Sequence, residues 1–128
     1  MMNSKRLRKV LLVDDEENFA TLLSGLLRMD GYEVTVAHDG AEALEKLGLS
    51  TPDVIISDVV MPRMDGFEMF QRVKSDQKTA SIPFLFITGY QDNQMLEKAR
   101  KIGAFGILQK PIDIEQIERR LDELGAGR

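Results

Sequence analysis

The chain has no cysteine and a single histidine, His38. Without thiols there can be neither disulfides nor thiolate metal sites, and the compartment cannot be read from redox chemistry. His38 has no second histidine or cysteine with which to hold a metal, so it reads as a surface loop residue. Long apolar runs are also missing. Behind the basic residues Lys5, Arg6, Arg8 and Lys9, the run Val10-Leu11-Leu12-Val13 is only four residues long, too short for a signal peptide or a membrane span. The expected setting is therefore the cytoplasm, with no membrane partner. An excess of positive charge is missing as well. A net charge of −4 argues against nucleic acid as a direct partner, and a few basic residues on a tail are ordinarily just solvated. Internal repeats, linkers and low-complexity segments are absent.

What is present fits one globular domain. The chain has 128 residues, of which 43% are hydrophobic and 30% charged, enough to bury a single core. The run Val10-Leu11-Leu12-Val13 predicts a strand covered on both faces. Further strands are expected at Val34-Thr35-Val36-Ala37, at Val54-Ile55-Ile56, at Pro83-Phe84-Leu85-Phe86-Ile87, and more weakly at Gly106-Ile107-Leu108-Gln109. Helical spacing follows each of them. The first helix carries the stripe Phe19, Leu22, Leu23, Leu26 and Leu27 and ends at Asp30-Gly31. The second carries Ala41, Leu44 and Leu47, and the third Phe67, Phe70 and Val73. The fourth carries Leu96, Ala99 and Ile102 and closes on Gly103, and the fifth carries Ile114, Ile117, Leu121 and Leu124. Strict alternation with short connections predicts an α/β fold, a doubly wound five-stranded parallel sheet with five helices on its two faces. In the flavodoxin-like strand order 2-1-3-4-5, ligands bind at the carboxyl ends of the strands, where strands 1 and 3 adjoin.

Those ends carry the chemistry. Asp14 and Asp15 follow the first strand, Asp58 the third, Thr88 the fourth and Lys110 the fifth. Each has a plain reading when taken singly. Asp14 or Asp15 suits a helix start, and a lone lysine is usually solvated. Taken together they do not, because three converging carboxylates repel one another and call for a cation. Carboxylates with carbonyl and water oxygens suit Mg²⁺. Lys110 adds a compact positive charge for an anion, and Thr88 with the backbone N–H of Gly89 offers two donors. Such a constellation is suited to receiving a phosphoryl group, a reaction that needs mainly positioning and charge neutralisation.

These residues stand in the segments Val10-Leu11-Leu12-Val13-Asp14-Asp15-Glu16, Pro52-Asp53, Asp58-Val59-Val60-Met61-Pro62-Arg63-Met64-Asp65-Gly66, Ile87-Thr88-Gly89, Gly103-Ala104 and Lys110-Pro111. Through them the chain resembles the receiver domain of bacterial two-component response regulators, over nearly its whole length. The resemblance implies that Asp58 is the phosphoacceptor and that a sensor histidine kinase or phosphotransfer protein supplies the phosphoryl group. It implies that Asp15 and Asp58, Asp14 partly through water, and the backbone carbonyl of Val60 hold Mg²⁺. Thr88, Gly89 and Lys110 would meet the phosphoryl oxygens, and the bond before Pro111 would be cis. Such a domain is a phosphorylation-switched signalling module and not an enzyme acting on a separate substrate. It would be read by a downstream protein on the surface of helix 4, strand 5 and helix 5.

The chain departs from the family at one switch position, where Ile107 replaces the usual Tyr or Phe three residues before the lysine. Ile107 and Phe105 are candidates for an apolar docking patch on that output surface; the alternative is that both pack into the flank of the sheet. A tail over residues 1–6 and a receiver domain over 7–126 are expected, either as a stand-alone receiver or as a piece of a longer protein. Two enzyme or cofactor readings fit less well. A haloacid dehalogenase-type enzyme needs a second acid two residues after the nucleophile, where this chain has Val60. A flavodoxin-like cofactor binder needs a phosphate-cradling loop after strand 1, where Asp14, Asp15, Glu16 and Glu17 would repel it. A non-phosphorylated interaction module on the same fold remains as the rival, and it would be expected to have lost an acid, the threonine or the lysine.

Overall fold

The structure is a computed structural model, and it describes residues 7–89 and 92–126. The expected tail over residues 1–6, with Lys5 and Arg6, lies outside the described residues. The elements alternate in chain order as β1 (Lys9–Val13), α1 (Glu17–Met29), β2 (Glu33–Ala37), α2 (Gly40–Leu47), β3 (Val54–Asp58), α3 (Gly66–Lys74), β4 (Phe84–Thr88), α4 (Asn93–Ile102), β5 (Gly106–Gln109) and α5 (Ile114–Ala126). All strand pairs are parallel, and the sheet order is β2-β1-β3-β4-β5. This is the flavodoxin-like order expected above; the alternation of short apolar runs with helical patterns by itself predicts only the parallel, doubly covered sheet.

Strand side chains point alternately to opposite faces, and that alternation divides the core in two. Leu11, Val13, Ile55, Phe84 and Phe86 pack under α2, α3 and α4. Val10, Leu12, Val54, Ile56, Leu85 and Ile87 pack under α1 and α5. β3 and β4 are buried along their whole length, which is why they read as unbroken apolar runs. The α3 face is aromatic. Phe67 meets Phe86 edge-on at 5.1 Å between ring centroids, and Phe70 lies 4.8 Å from Phe84, arrangements that add to simple burial.

Helix ends follow local chemistry. Asp39, Asp65 and Asp92 each accept a hydrogen bond from the backbone N–H three residues on, capping α2, α3 and α4. Gly31 and Gly103, at φ 97° and 89°, supply the left-handed residues that close α1 and α4.

Two helical stripes differ from expectation. α1 buries Ala20, Leu23, Ser24 and Leu27, whereas Leu22 is 63% exposed. The buried face is rotated toward Ala20 and Ser24, whose small side chains let the helix lie close to the sheet. Small residues carry little weight in a hydrophobic pattern, so the stripe of leucines pointed slightly off the true face. α4 buries only Ala99; Leu96 is exposed and Ile102 packs at the core's margin.

Candidate functional site

The parallel register brings the strand ends level. Val13 pairs with Ser57, so the next residues, Asp14 and Asp58, stand side by side at the carboxyl edge. Asp58 in turn pairs with Ile87, and Thr88 pairs with Gln109. Two backbone hydrogen bonds extend the ladder past the strands, from Asp14 N–H to the Ala37 carbonyl at 3.0 Å and from Lys110 N–H to the Thr88 carbonyl at 2.7 Å. The site therefore rests on four neighbouring strands rather than on free loops.

The three aspartates expected at this edge do converge. Asp14, Asp15 and Asp58 each present a carboxylate oxygen within 4.8 Å of the others, with Asp14 and Asp58 buried and Asp15 exposed. The donor set is all oxygen, which suits Mg²⁺ better than metals that favour nitrogen or sulfur. Lys110 lies among these acids. Its Nζ donates to Asp14 Oδ2 at 2.9 Å and to Asp58 Oδ2 at 3.2 Å, with Glu16 Oε1 at 3.4 Å. The lysine side chain is 14% exposed, so this contact is shielded from water. The other carboxylate oxygens are also engaged: Asp14 Oδ1 accepts from Glu16 N–H at 2.8 Å, and Asp58 Oδ1 accepts from Val60 N–H at 3.3 Å.

Burial sets the electrostatics. Loss of water pushes the Asp14 carboxyl above its ordinary value; the Glu16 N–H and Lys110 draw it back, and the Asp58 charge adds to the rise. Burial also raises Asp58, against the opposing pull of Lys110. Burial works against the Lys110 ammonium too, but its bonds to Asp14 and its attraction to Asp58 outweigh that and hold its pKa above the usual lysine value. The acids are thus held in a costly ionised pair around one cation, an arrangement that a further cation would relieve.

The remaining expected residues take the following places. Thr88 is buried at the end of β4, and Gly89 beside it is exposed. Val60 is 60% exposed, on the loop that follows Asp58. The Lys110–Pro111 peptide is cis. Ile107 and Phe105 are both half-buried, but in different cores. Ile107 packs with the residues under α2, α3 and α4, and Phe105 with those under α1 and α5. One patch built from both is not formed, because the chain enters β5 with Phe105 against one face of the sheet and Ile107 against the other. Phe105 is covered in part by Arg120, whose guanidinium carbon lies 5.6 Å from the ring centroid. His38 is exposed, and its backbone N–H donates to Glu42 Oε1 at 2.7 Å.

Sequence reasoning passed over three features of the site. Glu16, one of the acids after the first strand, and Phe19, part of the first helix's apolar stripe, both contact Lys110, and the Phe19 ring centroid lies 4.2 Å from its Nζ. A helix start beside a catalytic-type strand end was the available signal. Gly66 sits against the strand it follows: a Cβ there would collide with the Asp58 carbonyl oxygen and fall 3.0 Å from Val59 Cα. Arg63 takes a left-handed backbone, at φ 67°, and donates to Asp39 Oδ2 at 3.0 Å, tying the loop after β3 to the start of α2.

The family described as response regulator receiver domain matches residues 10–122. The chain is 36% identical to the transcriptional regulatory protein CrdR of Helicobacter pylori over 114 residues, 89% of this chain and 53% of CrdR. It is 34% identical to the alkaline phosphatase synthesis transcriptional regulatory protein PhoP of Bacillus subtilis, over 89% of this chain and 47% of PhoP. The chain thus spans about half the length of these two regulators. Among solved structures, the chemotaxis protein CheY4 of Vibrio cholerae superposes with a TM-score of 0.86 at 37% identity, covering 92% of this chain and 98% of CheY4.

Proposed function

This chain belongs to the response regulator receiver domain family and is a phosphoacceptor signalling domain, and from that premise we propose that Asp58 is the acceptor. The observation that carries the proposal is the meeting of three carboxylates within 4.8 Å with a shielded lysine ammonium 3.2 Å from Asp58. An Asp58 carboxylate oxygen forms a bond to the phosphorus of a phosphohistidine as the P–N bond breaks. The electron pair leaves on the imidazole nitrogen, and the product is an acyl phosphate on Asp58. Lys110 turns part of its hydrogen bonding from Asp58 to a phosphoryl oxygen, and Thr88 with the Gly89 N–H receives another. Asp14, Asp15, Asp58 and the Val60 carbonyl would hold Mg²⁺, which when bound offsets the negative charge of the acids and of the arriving phosphoryl group. Positioning and charge neutralisation are what such a transfer needs.

Receiver domains take their phosphoryl groups from histidine kinases or phosphotransfer proteins, and we assign the same class of donor here. The reading extends to one receiver domain over residues 7–126, located in the cytoplasm. Among the described residues no helix is long and apolar enough to cross a membrane. The downstream protein is assigned to the face formed by α4, β5 and α5.

The test is intact mass after incubation with acetyl phosphate or phosphoramidate. One added phosphoryl group is expected with Mg²⁺ and none with EDTA. Asp58→Asn should take up none, and Lys110→Ala should retain a fraction. Full labelling of Asp58→Asn, or labelling indifferent to EDTA, would overturn the assignment.

A further inference from the structure

Lys110 has a neighbour that the chemistry above does not use. The Phe19 ring centroid lies 4.2 Å from Lys110 Nζ, within the range in which a cation is drawn to the negative face of an aromatic ring. Phe19 stands in the first turn of α1, three residues after Glu16, and is half-buried against the α1–α5 core. The ammonium is thus held by Asp14 and Asp58 together with an aromatic ring.

We infer that Phe19 is a positioning residue that holds the Lys110 ammonium at Asp58, an inference that rests on the phosphoacceptor reading for its kinetic consequence. The physical case lies in the kind of contact. The hydrogen bonds from Lys110 to Asp14 Oδ2 and Asp58 Oδ2 are directional, and at least one is given up when a phosphoryl oxygen takes its place. Attraction to a ring face depends on the position of the charge and hardly on where its N–H bonds point. Phe19 therefore keeps the nitrogen in place while its N–H groups are reassigned from carboxylate to phosphoryl oxygen. The third carboxylate in reach, Glu16, cannot do this. Its side chain is 63% exposed and its oxygen is 3.4 Å away, so without the ring it would draw the ammonium outward toward solvent. A cation held where charge develops lowers the barrier without reorganisation at the moment of reaction.

The test uses Phe19→Leu, which keeps apolar bulk and removes the ring, and Phe19→Tyr, which restores the ring. The first readout needs no phosphorylation. In the unphosphorylated wild-type protein, the Lys110 ε-methylene protons should be shifted upfield by the ring, should lose that shift in Phe19→Leu and should regain it in Phe19→Tyr. The second readout is the rate of labelling by acetyl phosphate with Mg²⁺. Phe19→Leu should slow it about two- to five-fold, which corresponds to an exposed-to-half-buried cation–π contact, and Phe19→Tyr should restore it. In a Lys110→Ala background the Phe19→Leu change should have no further effect on the residual rate.

Identical ε-methylene shifts in wild type and Phe19→Leu would overturn the inference, as would an equal slowing in the presence and absence of the lysine, since that would mark a purely structural role. A wild-type protein that takes up no phosphoryl group would instead remove the phosphoacceptor reading. The ring shifts would still decide whether Phe19 holds the ammonium. Because acetyl phosphate has no docking surface, the rates do not depend on how α1 meets a donor protein.

Discussion

At the scale of single residues, the site is a place where stability is given up for chemistry. Asp14 is fully buried and Asp58 nearly so, and burial raises both from the ordinary value of 3.8. A carboxyl whose folded pKa is raised binds its proton more tightly folded than unfolded. Lowering the pH through the folded value therefore adds stability, and the gain is complete at the unfolded value of about 4. Lys110 behaves in the opposite sense: its folded pKa is raised above 10.5, so its contribution is present below that value and fades only as the pH rises through the folded one. The charged aspartate pair is thus a net cost at neutral pH, and Asp14→Asn should be neutral or stabilising without metal, although most substitutions of buried residues destabilise by ~0.5–3 kcal/mol. That advantage should shrink as the pH falls from neutrality toward the ordinary carboxyl value of about 4, as urea melts across that range will show. An Asp14→Asn protein equally destabilised at both ends of it would contradict this account. Mg²⁺ acts on the same cost from the other side. Binding the ionised acids of the folded state should raise the melting temperature, with ~2.7 kcal/mol gained at a hundredfold excess over Kd. Asp15→Ala should abolish that response while leaving the protein no less stable without metal. The identities of these acids were legible in the sequence because each directly ends a strand or follows one. Their bonds to Lys110 were not, since that residue lies 96 positions from Asp14 and only the folded register shows how near it comes.

At the scale of elements, the parallel alternating architecture was legible and the exact buried face of a helix was not. Five short apolar runs separated by helical patterns leave few topologies open, and β2-β1-β3-β4-β5 is the one formed. The face of α1 was misjudged by the width of Leu22 because Ala20 and Ser24, which meet the sheet, carry little hydrophobic signal. The start of α3 shows the same limit more sharply. Gly66 opens the helix and donates its N–H to the Val59 carbonyl at 2.7 Å, and it lies so close under β3 that a methyl group would collide with the Asp58 carbonyl oxygen. The colliding atoms are backbone and cannot turn aside, so either α3 or the end of β3 must move. Gly66→Ala should therefore cost about 2–3 kcal/mol and should also slow the labelling of Asp58, because the strand end that presents it is displaced. Gly103 is the matched control. It has a left-handed backbone at φ 89° and nothing within 4 Å of the missing Cβ, so Gly103→Ala should cost only ~1 kcal/mol of backbone strain and leave labelling unchanged. Chemical denaturation and intact-mass kinetics on the two variants separate the effects; a Gly66→Ala protein that melts and labels like the wild type would show that the close approach is not needed.

At the scale of the whole molecule, a signal raised at the proposed acceptor Asp58 would have to cross from the sheet edge to the face proposed for a partner, and the two cores constrain its route. Thr88 and Lys110 end adjacent strands and are joined by the 2.7 Å bond from Lys110 N–H to the Thr88 carbonyl. Drawing their side chains toward a phosphoryl group should therefore move the ends of β4 and β5 together, and with them the start of α4. The resemblance noted above implies an aromatic ring three residues before the lysine that reports such a movement, but Ile107 has no ring and no polar end. It packs with the core under α2, α3 and α4, whereas Phe105 packs with the other core. The expected response is therefore a backbone shift at the end of β4 and the start of α4, with Ile107 contributing packing alone. A modification shifts an equilibrium only by its differential stabilisation of two states. With no hydrogen bond added by the residue at position 107 in the switched state, the population change should be small. Backbone NMR of the protein with and without beryllofluoride and Mg²⁺ measures it. The expected outcome is a cluster of amide shifts in residues 89–110 that Ile107→Val leaves nearly intact and that Phe105→Leu, in the opposite core, does not alter. Shifts confined to α1 and α2 would refute the route, and a substantially weaker response in Ile107→Val would assign this isoleucine a share of the signal larger than packing alone provides.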